Sequence, residues 1–167
     1  MATPYAEYVR GRDPIDVLRE SFDAYRTLRS RVRIGGWNQP VAPGKWTVRQ
    51  VLVHVVQWEM ILGLRLRFAV ASPSYVIQPF EQDELMGEAD VVDGPTALAA
   101  FDAVRKMTID FASSLTPAQR QQRTVHAERG EIDVEDILTT LAGHSVHHLR
   151  QVQALLDKAG GEDGRSS

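Results

Sequence analysis

The sequence of 167 residues contains no cysteine. This absence excludes disulfides, thiolate zinc sites, iron–sulfur clusters and cysteine nucleophiles. Any metal ion that the protein binds must therefore be held by histidine, aspartate or glutamate. Any thiol that takes part in its chemistry must come from outside the chain, as a co-substrate.

Clusters of basic residues and long hydrophobic runs are also missing. The 19 basic and 22 acidic side chains give a net charge of −3, and the scattered basic residues argue against a nucleic-acid surface. The longest apolar run, 51–66, contains polar and charged residues and so cannot span a bilayer. No basic stretch followed by an apolar one marks a signal peptide. We therefore expect a soluble, cytoplasmic protein that binds neither nucleic acid nor a membrane.

The length and composition are those of one globular domain. Hydrophobic residues make up 43% and charged residues 25%, which excludes disorder, collagen and a pure coiled coil. A chain of this length buries enough surface to form a core without covalent cross-links. We predict a single domain over residues 1–167, with a core at about 14–159 and flexible termini.

Two long helices are predicted in the first half of the chain from apolar residues that recur every three or four positions. The first starts at Asp13-Pro14, an N-cap followed by a proline at the first helical position, and ends at Gly35-Gly36. The second starts at the capping box 47–50 and runs to about Ala71. It is apolar on almost every side, which is typical of a helix covered by more than one neighbour. We therefore expect a homodimer.

The second half of the chain begins with a long connection, 72–93, that lacks a clear period. Long connections in compact domains usually have a function, and we expect this one to form the wall of a pocket. A third long helix starts at Asp93-Gly94-Pro95. A short helix then begins at the cap Thr116, and residues 124–132 form either a small hairpin or a loop.

The fourth long helix has Asp133 as its N-cap, runs to about Ala159 and ends at Gly160-Gly161. Each of the four helices is about 30 Å long, and no alternating strand pattern separates them. Together they predict an all-α fold, an up-down four-helix bundle.

Four of the five histidines lie on predicted helices, and His144 and His148 lie one turn apart on the fourth helix. This i, i+4 spacing points both rings the same way, on or beside the buried stripe, where they can share one cation. The pair alone is a weak signal, because two buried imidazoles satisfied by hydrogen bonds would give the same pattern. A third ligand is needed. His54 is the other histidine on an apolar helix, but its spacing does not show that it faces the fourth helix.

The remaining histidines are expected to play lesser parts. His147 falls toward the polar side of the fourth helix, so we expect it to support the site or lie at the surface. His126 precedes that helix and is expected to be solvated. Other candidates for supporting or acid–base roles are polar residues of kinds that are more often simply solvated: Glu59, Glu81, Asp83, Glu84 and Gln151.

Two motifs resemble the DinB/YfiT-like superfamily. Residues 45–54 read KWTVRQVLVH and are similar to the start of the second helix in that family. Residues 141–152 read LAGHSVHHLRQV and resemble its closing helix. The likeness extends over about 14–156. It implies a DinB/YfiT-like four-helix bundle, often dimeric, that holds one divalent ion through three histidines.

Carried over residue by residue, the resemblance makes His54, His144 and His148 the metal ligands. It implies zinc or nickel, with iron or manganese in some relatives. It also implies an enzyme that transfers a low-molecular-weight thiol to a small electrophile. Three neutral imidazoles suit this chemistry because they leave open coordination positions on the ion. The alternatives are a hydrolase that uses metal-bound hydroxide, and a bundle that binds a metal or a partner without catalysis.

Overall fold

The computed structural model describes residues 3–32, 36–72 and 74–163. Four long helices dominate it: α1 (Pro14–Arg31), α2 (Val48–Ala71), α4 (Gly94–Ser113) and α6 (Val134–Asp163). Two short helices, α3 (Gln82–Leu85) and α5 (Pro117–Arg120), lie in the connections. The remaining helical turns are of the 3-10 type, at Ala6–Tyr8, Gly36–Asn38 and Met86–Asp90. Within these described ranges, no helix combines the length and the apolar character needed to cross a membrane.

A small three-stranded sheet lies beside the helices. It consists of β1 (Val76–Ile77), β2 (Arg123–His126) and β3 (Gly130–Asp133), in that order. β1 pairs parallel with β2, and β2 pairs antiparallel with β3, with Thr124 opposite Ile132. Of the two conformations considered for 124–132, the structure therefore has the hairpin. Gly130 has a φ of 78°, a left-handed conformation that glycine adopts without steric cost.

Side-chain caps set the predicted helix starts. Asp13 accepts a hydrogen bond from the backbone N–H of Ile15 at 2.8 Å, and Thr47 and Gln50 form the reciprocal capping box of α2. At the start of α6, Asp133 and Asp136 each accept a bond from the other's backbone N–H. Because such caps involve only neighbouring residues, they are readable from the sequence, and these starts are confirmed.

Two of the predicted helix ends differ from the structure. Helix α1 ends at Arg31, before the predicted stop, and Gly35 lies outside the described residues. Helix α6 continues through Gly160-Gly161 to Asp163, beyond the expected end near Ala159. A glycine lowers helix propensity by only about 1 kcal/mol relative to alanine and keeps its backbone N–H, so two of them do not oblige the helix to end.

Two buried clusters form the core, one toward each end of the bundle. The first joins the starts of α1 and α6 to the ends of α2 and α4; it includes Leu18, Leu66, Ile109 and Leu138. The second joins the ends of α1 and α6 to the starts of α2 and α4; it includes Leu28, Leu52, Phe101 and Val152. Helices α1 and α6 therefore run in one direction, and α2 and α4 run in the other.

The predicted all-α four-helix bundle is confirmed, but its helices run up, down, down, up rather than in the simple alternating order. Helices α1 and α2 each pack against both α4 and α6, and so lie diagonally across the bundle. Because α2 and α4 are parallel neighbours, the chain must return along the whole bundle between them. Helix α2 has 24 residues, which at about 1.5 Å per residue is roughly 36 Å. This return explains the length of the connection 72–93.

Candidate metal centre

Three histidines from two helices meet in the interior of the bundle. His54 on α2 and His144 and His148 on α6 are 2%, 1% and 7% exposed. Ligand nitrogens from the three rings all lie within 4.8 Å of one another, and the Nε2 atoms of His54 and His144 are 3.0 Å apart. Because α2 and α6 are antiparallel neighbours, residues 90 positions apart in the chain come to face each other. The three residues that the resemblance pointed to are thus brought together.

The three rings have the protonation state that a metal ligand needs. Burial lowers the pKa of His54 to about 3, with the nearby His148 and His147 adding to the effect. Burial also lowers the pKa of His148 to about 4 and that of His144 well below its usual range. All three are therefore neutral at pH 7, and a neutral imidazole keeps a lone pair on one ring nitrogen.

The spacing of the nitrogens also fits a divalent ion. A zinc–imidazole bond is about 2.0–2.1 Å long, so two nitrogens 3.0 Å apart can bond to the same ion. The Nδ1 atom of His54 is buried and has no hydrogen-bond partner among the described residues. A buried ring whose Nε2 atom faces that of His144, and whose Nδ1 atom no hydrogen bond holds, fits one that a metal would fix. The residues present therefore fit a metal site.

Gln151 sets the orientation of His148. The Oε1 atom of Gln151 lies 2.9 Å from Nδ1 of His148, so the Nδ1–H donates to it and Nε2 keeps its lone pair. The amide nitrogen of Gln151 donates to Nε2 of His147 at 3.1 Å. Nδ1 of His147 in turn lies 2.7 Å from the hydroxyl of Tyr8. Both nitrogens of His147 are therefore engaged, and this half-buried residue supports the site through Gln151.

Aromatic side chains surround the three histidines. The ring of Trp58 stacks on His144 with its centroid 4.1 Å away, and Trp46 lies 4.9 Å from His54. Tyr5 meets His144 edge-on at 5.4 Å. No sequence pattern considered above pointed to these contacts. Trp58 could have been found, because it lies four residues after His54 on the same helical face, whereas Tyr5 is distant in the chain and carries no such signal.

Of the polar candidates, only Gln151 contacts the histidines. Glu59 is completely buried in an ion pair with Arg105, rather than solvated. Glu81, Asp83 and Glu84 are exposed, and no contact found in the described part of the chain joins them to the three histidines. His126 lies on β2, half-buried, and accepts a hydrogen bond from the backbone N–H of Glu128.

The pocket wall expected from the connection 72–93 belongs to a different cavity. Ile77, Pro79 and Phe80 line a cavity of about 220 Å³ whose described lining contains none of the three histidines. A larger cavity, of about 630 Å³, reaches His148 and is lined by the segment 41–46 and by α6. The connection does form the wall of a pocket, but its strand β1 pairs with β2, so this pocket lies on the sheet side of the bundle.

Comparison with solved structures identifies the same fold. The protein YfiT from Bacillus subtilis, described as a probable metal-dependent hydrolase with an unusual four-helix bundle topology, superposes with a TM-score of 0.79. The two sequences are 22% identical, over 88% of this chain and 86% of that one. TT2238, described as a four-helix bundle protein, superposes with a TM-score of 0.61 at 22% identity, over 84% and 96% of the two chains.

Similar sequences occur in Bacillus and Geobacillus species. A protein of Bacillus mycoides named "putative metal-dependent hydrolase" is 30% identical over 71% of this chain and 69% of its own length. A Geobacillus kaustophilus protein with the same kind of name is 30% identical over 81% of this chain and 78% of its own. The sequence model of the DinB superfamily matches residues 18–152, and this chain therefore belongs to the DinB superfamily.

Proposed function

We propose that this protein is a metal-dependent enzyme whose divalent ion is held by His54, His144 and His148. The observation that carries this proposal is the convergence of three buried, neutral imidazoles beside a cavity that reaches one of them. An ion held by three neutral ligands keeps its full charge and lowers the pKa of a thiol or a water molecule that binds to it. The family resemblance favours zinc or nickel, and imidazole is a suitable ligand for both.

We further propose that the reaction is the transfer of a low-molecular-weight thiol to a small electrophile. The described residues that line the larger cavity include no aspartate or glutamate that could serve as a general base. A thiol, with a usual pKa of about 8.5, needs far less help to ionise at neutral pH than water, with a pKa of about 15.7. The lack of cysteine in the chain requires that this thiol enter as a co-substrate.

The side chains around the histidines have definite tasks in this proposal. Gln151 holds the Nδ1 proton of His148, which keeps the Nε2 lone pair directed away from Gln151. Trp58 and Trp46 cover the faces of His144 and His54 and keep water from them. The rigid helices α2 and α6 hold the three rings without help from a mobile loop.

A hydrolase is the second candidate. The names of the relatives in Bacillus mycoides and Geobacillus kaustophilus favour it, and it would use the same three histidines with water as the nucleophile. The two reactions differ in one requirement, because only the transferase needs an added thiol. An assay of a model electrophile such as monochlorobimane, with and without thiol, therefore separates them. Turnover that depends on both metal and thiol supports the transferase, and metal-dependent turnover without thiol supports the hydrolase.

Elemental analysis tests the ligand assignment. We expect about one divalent ion per chain in protein prepared from its native host, and loss of that ion in His54→Ala, His144→Ala and His148→Ala. His126→Ala is the matched control, because this histidine lies outside the cluster and should keep the ion. Undiminished metal in the three cluster variants would overturn the assignment.

We also propose that the protein forms a homodimer through α2. Met60, Leu64 and Phe68 recur every four residues on one face of this helix, and each is at least 44% exposed. An exposed apolar stripe of this kind favours association. Light scattering that gives the monomer mass across a wide concentration range would exclude the dimer.

A further inference from the structure

The cavity of about 630 Å³ is continuous with the histidine cluster. Its lining includes His148 and Gln151, together with Trp46, whose ring lies against His54. The volume lies within the range of roughly 300–1,000 Å³ that small-molecule sites occupy. A molecule held in this cavity would therefore lie next to the proposed metal ligands.

The wall opposite α6 is a loop with a defined conformation. The backbone N–H of Lys45 donates to the carbonyl of Ala42 at 3.0 Å, and Pro43-Gly44 occupies the two central positions of the turn. Gly44 has a φ of 70°, as the third residue of a type II turn requires. A further bond, from the N–H of Val41 to the carbonyl of Trp46, closes the loop at 2.9 Å. The side chains of Lys45 and Trp46 are thus presented to the cavity by a pre-formed turn.

The charged side chains that line the cavity are all basic. Its two charged side chains are Lys45 from the loop and Lys158 from α6, and no described residue of the lining is acidic. Lysine is rare in this chain, which has three lysines against sixteen arginines. The third, Lys106, lies outside the cavity in an exposed ion pair with Asp110. Two of the three lysines thus line one cavity, and neither has an ion-pair partner in the described part of the chain.

Lys158 and His148 lie far apart along α6. Lys158 follows His148 by ten residues, which corresponds to about 15 Å along the helix axis. Lys158 nevertheless lines the cavity, and its Cα–Cβ bond tilts toward the N-terminal end of α6, where the histidines lie. Between the two ends, Trp46, Val51 and Ala154 supply an apolar lining. The cavity therefore has a polar end at the histidines, an apolar middle and a cationic end.

We propose that this cavity binds a small organic anion, with an apolar body against Trp46 and a carboxylate or phosphate held by Lys45 and Lys158. This inference rests on the proposed function, because it places the uncharged end of the ligand at His148, where the reaction would occur. Lysine suits this task because its ammonium is a compact charge on a flexible stem. The lysines would select anionic substrates and set their direction in the cavity.

Calorimetric titration with three related probes tests the inference. The probes are 4-phenylbutyrate, 3-phenylpropyl phosphate and the neutral 4-phenylbutanamide. We expect the anions to bind more tightly than the amide, by up to about 25-fold, since two partly exposed ion pairs contribute about fivefold or less each. The tighter of the two anions identifies the group that the lysines prefer. Equal binding of the amide and both anions would overturn the proposal.

Substitution of each of the three lysines tests whether Lys45 and Lys158 hold the anion. Lys45→Met and Lys158→Met should each weaken binding of the preferred anion by up to about fivefold and leave binding of the amide unchanged. Lys106→Met is the matched control, because it removes the remaining lysine, and it should change neither. Both cavity lysines are exposed, so the variants should fold normally, and circular dichroism checks this. Anion binding that is unaffected in both cavity variants would contradict the proposal.

The same titrations on chelated protein separate this inference from the proposed function. If the lysines hold the anion, their effect persists after chelation. If binding disappears on chelation and the lysine variants have no effect, the anion is bound by the metal and the inference is wrong. Metal retained in the histidine variants would overturn the proposed function but not this inference, because the titrations measure binding and do not require catalysis.

Discussion

Arg105 donates a hydrogen bond to Glu59 at 2.6 Å in the interior of the bundle, and neither side chain has any exposed surface. Arg105 also donates to the hydroxyls of Ser145 and Ser21, each at 2.9 Å. These bonds connect α4 to the other three long helices. Since Ser145 is adjacent to His144 in α6, the network also anchors the segment that carries two of the clustered histidines.

Replacing one partner of the Arg105–Glu59 ion pair should strongly destabilise the fold. We expect Glu59→Leu to lower the free energy of unfolding by about 3–5 kcal/mol, because it leaves the Arg105 charge buried without its partner. The double variant Glu59→Leu/Arg105→Met should be considerably less destabilised, because it removes both charges. Urea denaturation measures both. The single variant Arg105→Met completes the cycle, and a loss in the double variant equal to the sum of the two single losses would show that the pair is not coupled.

The stability of the metal-free protein should depend on pH. The pKa values of His54 and His148 in the fold are about 3 and about 4, below the ordinary value of about 6.5. As pH falls from about 6.5 to 5, the unfolded chain therefore binds protons that the folded protein does not. The free energy of unfolding should then decrease, by up to about 1.4 kcal/mol per pH unit for each such histidine.

Urea denaturation of the chelated protein at pH 7, 6 and 5 measures this slope. The variant His148→Gln should show a smaller slope, because one of the buried titrating rings is gone. Keeping the range above pH 5 limits the contribution of ordinary carboxyl groups. A slope that is the same in both proteins would contradict the expected protonation of His148 on unfolding.

Removing the hydrogen bond to His148 should weaken metal binding. Gln151→Ala leaves Nδ1 of His148 without its acceptor, and the loss of such an orienting contact typically costs about 10–100-fold in metal affinity. Competition with a chromophoric chelator measures the affinity. Gln153→Ala is a suitable control. Gln153 is two positions further along α6, so its side chain points about 200° away from that of Gln151 around the helix axis. Equal affinities of Gln151→Ala and the unaltered protein would exclude an orienting role.

A single methyl group at position 143 should displace the N-terminal segment that contains Tyr5. A Cβ added at Gly143 would overlap the carbonyl oxygen of Tyr5 and lie 2.8 Å from its Cβ. We expect Gly143→Ala to force this segment off α6 and to speed tryptic cleavage after Arg12. The stability of the bundle should change little, because alanine favours the helix by about 1 kcal/mol.

A second glycine variant controls for the substitution itself. In Gly63→Ala the new Cβ would meet the Oγ1 atom of Thr108 at 3.0 Å, on a side chain that can rotate away. Its tryptic cleavage after Arg12 should therefore match that of the unaltered protein. Unchanged cleavage in Gly143→Ala would show that the N-terminal segment tolerates the methyl group.

The sequence by itself determined the features that depend on neighbouring residues. Caps such as Asp13 and Thr47 act within three or four positions, and the pairing of His144 with His148 follows from one helical turn. The choice of His54 as third member of the cluster came from the family resemblance, because no spacing within α2 shows which helix it faces.

Only the tertiary structure decided which distant segments meet. The parallel packing of α2 with α4, the burial of Glu59 against Arg105 and the joint lining of one cavity by Lys45 and Lys158 all join residues on different elements. Such contacts depend on the order and direction of the helices. A helical pattern predicts which face of each helix is buried, but it does not show which neighbouring helix covers that face.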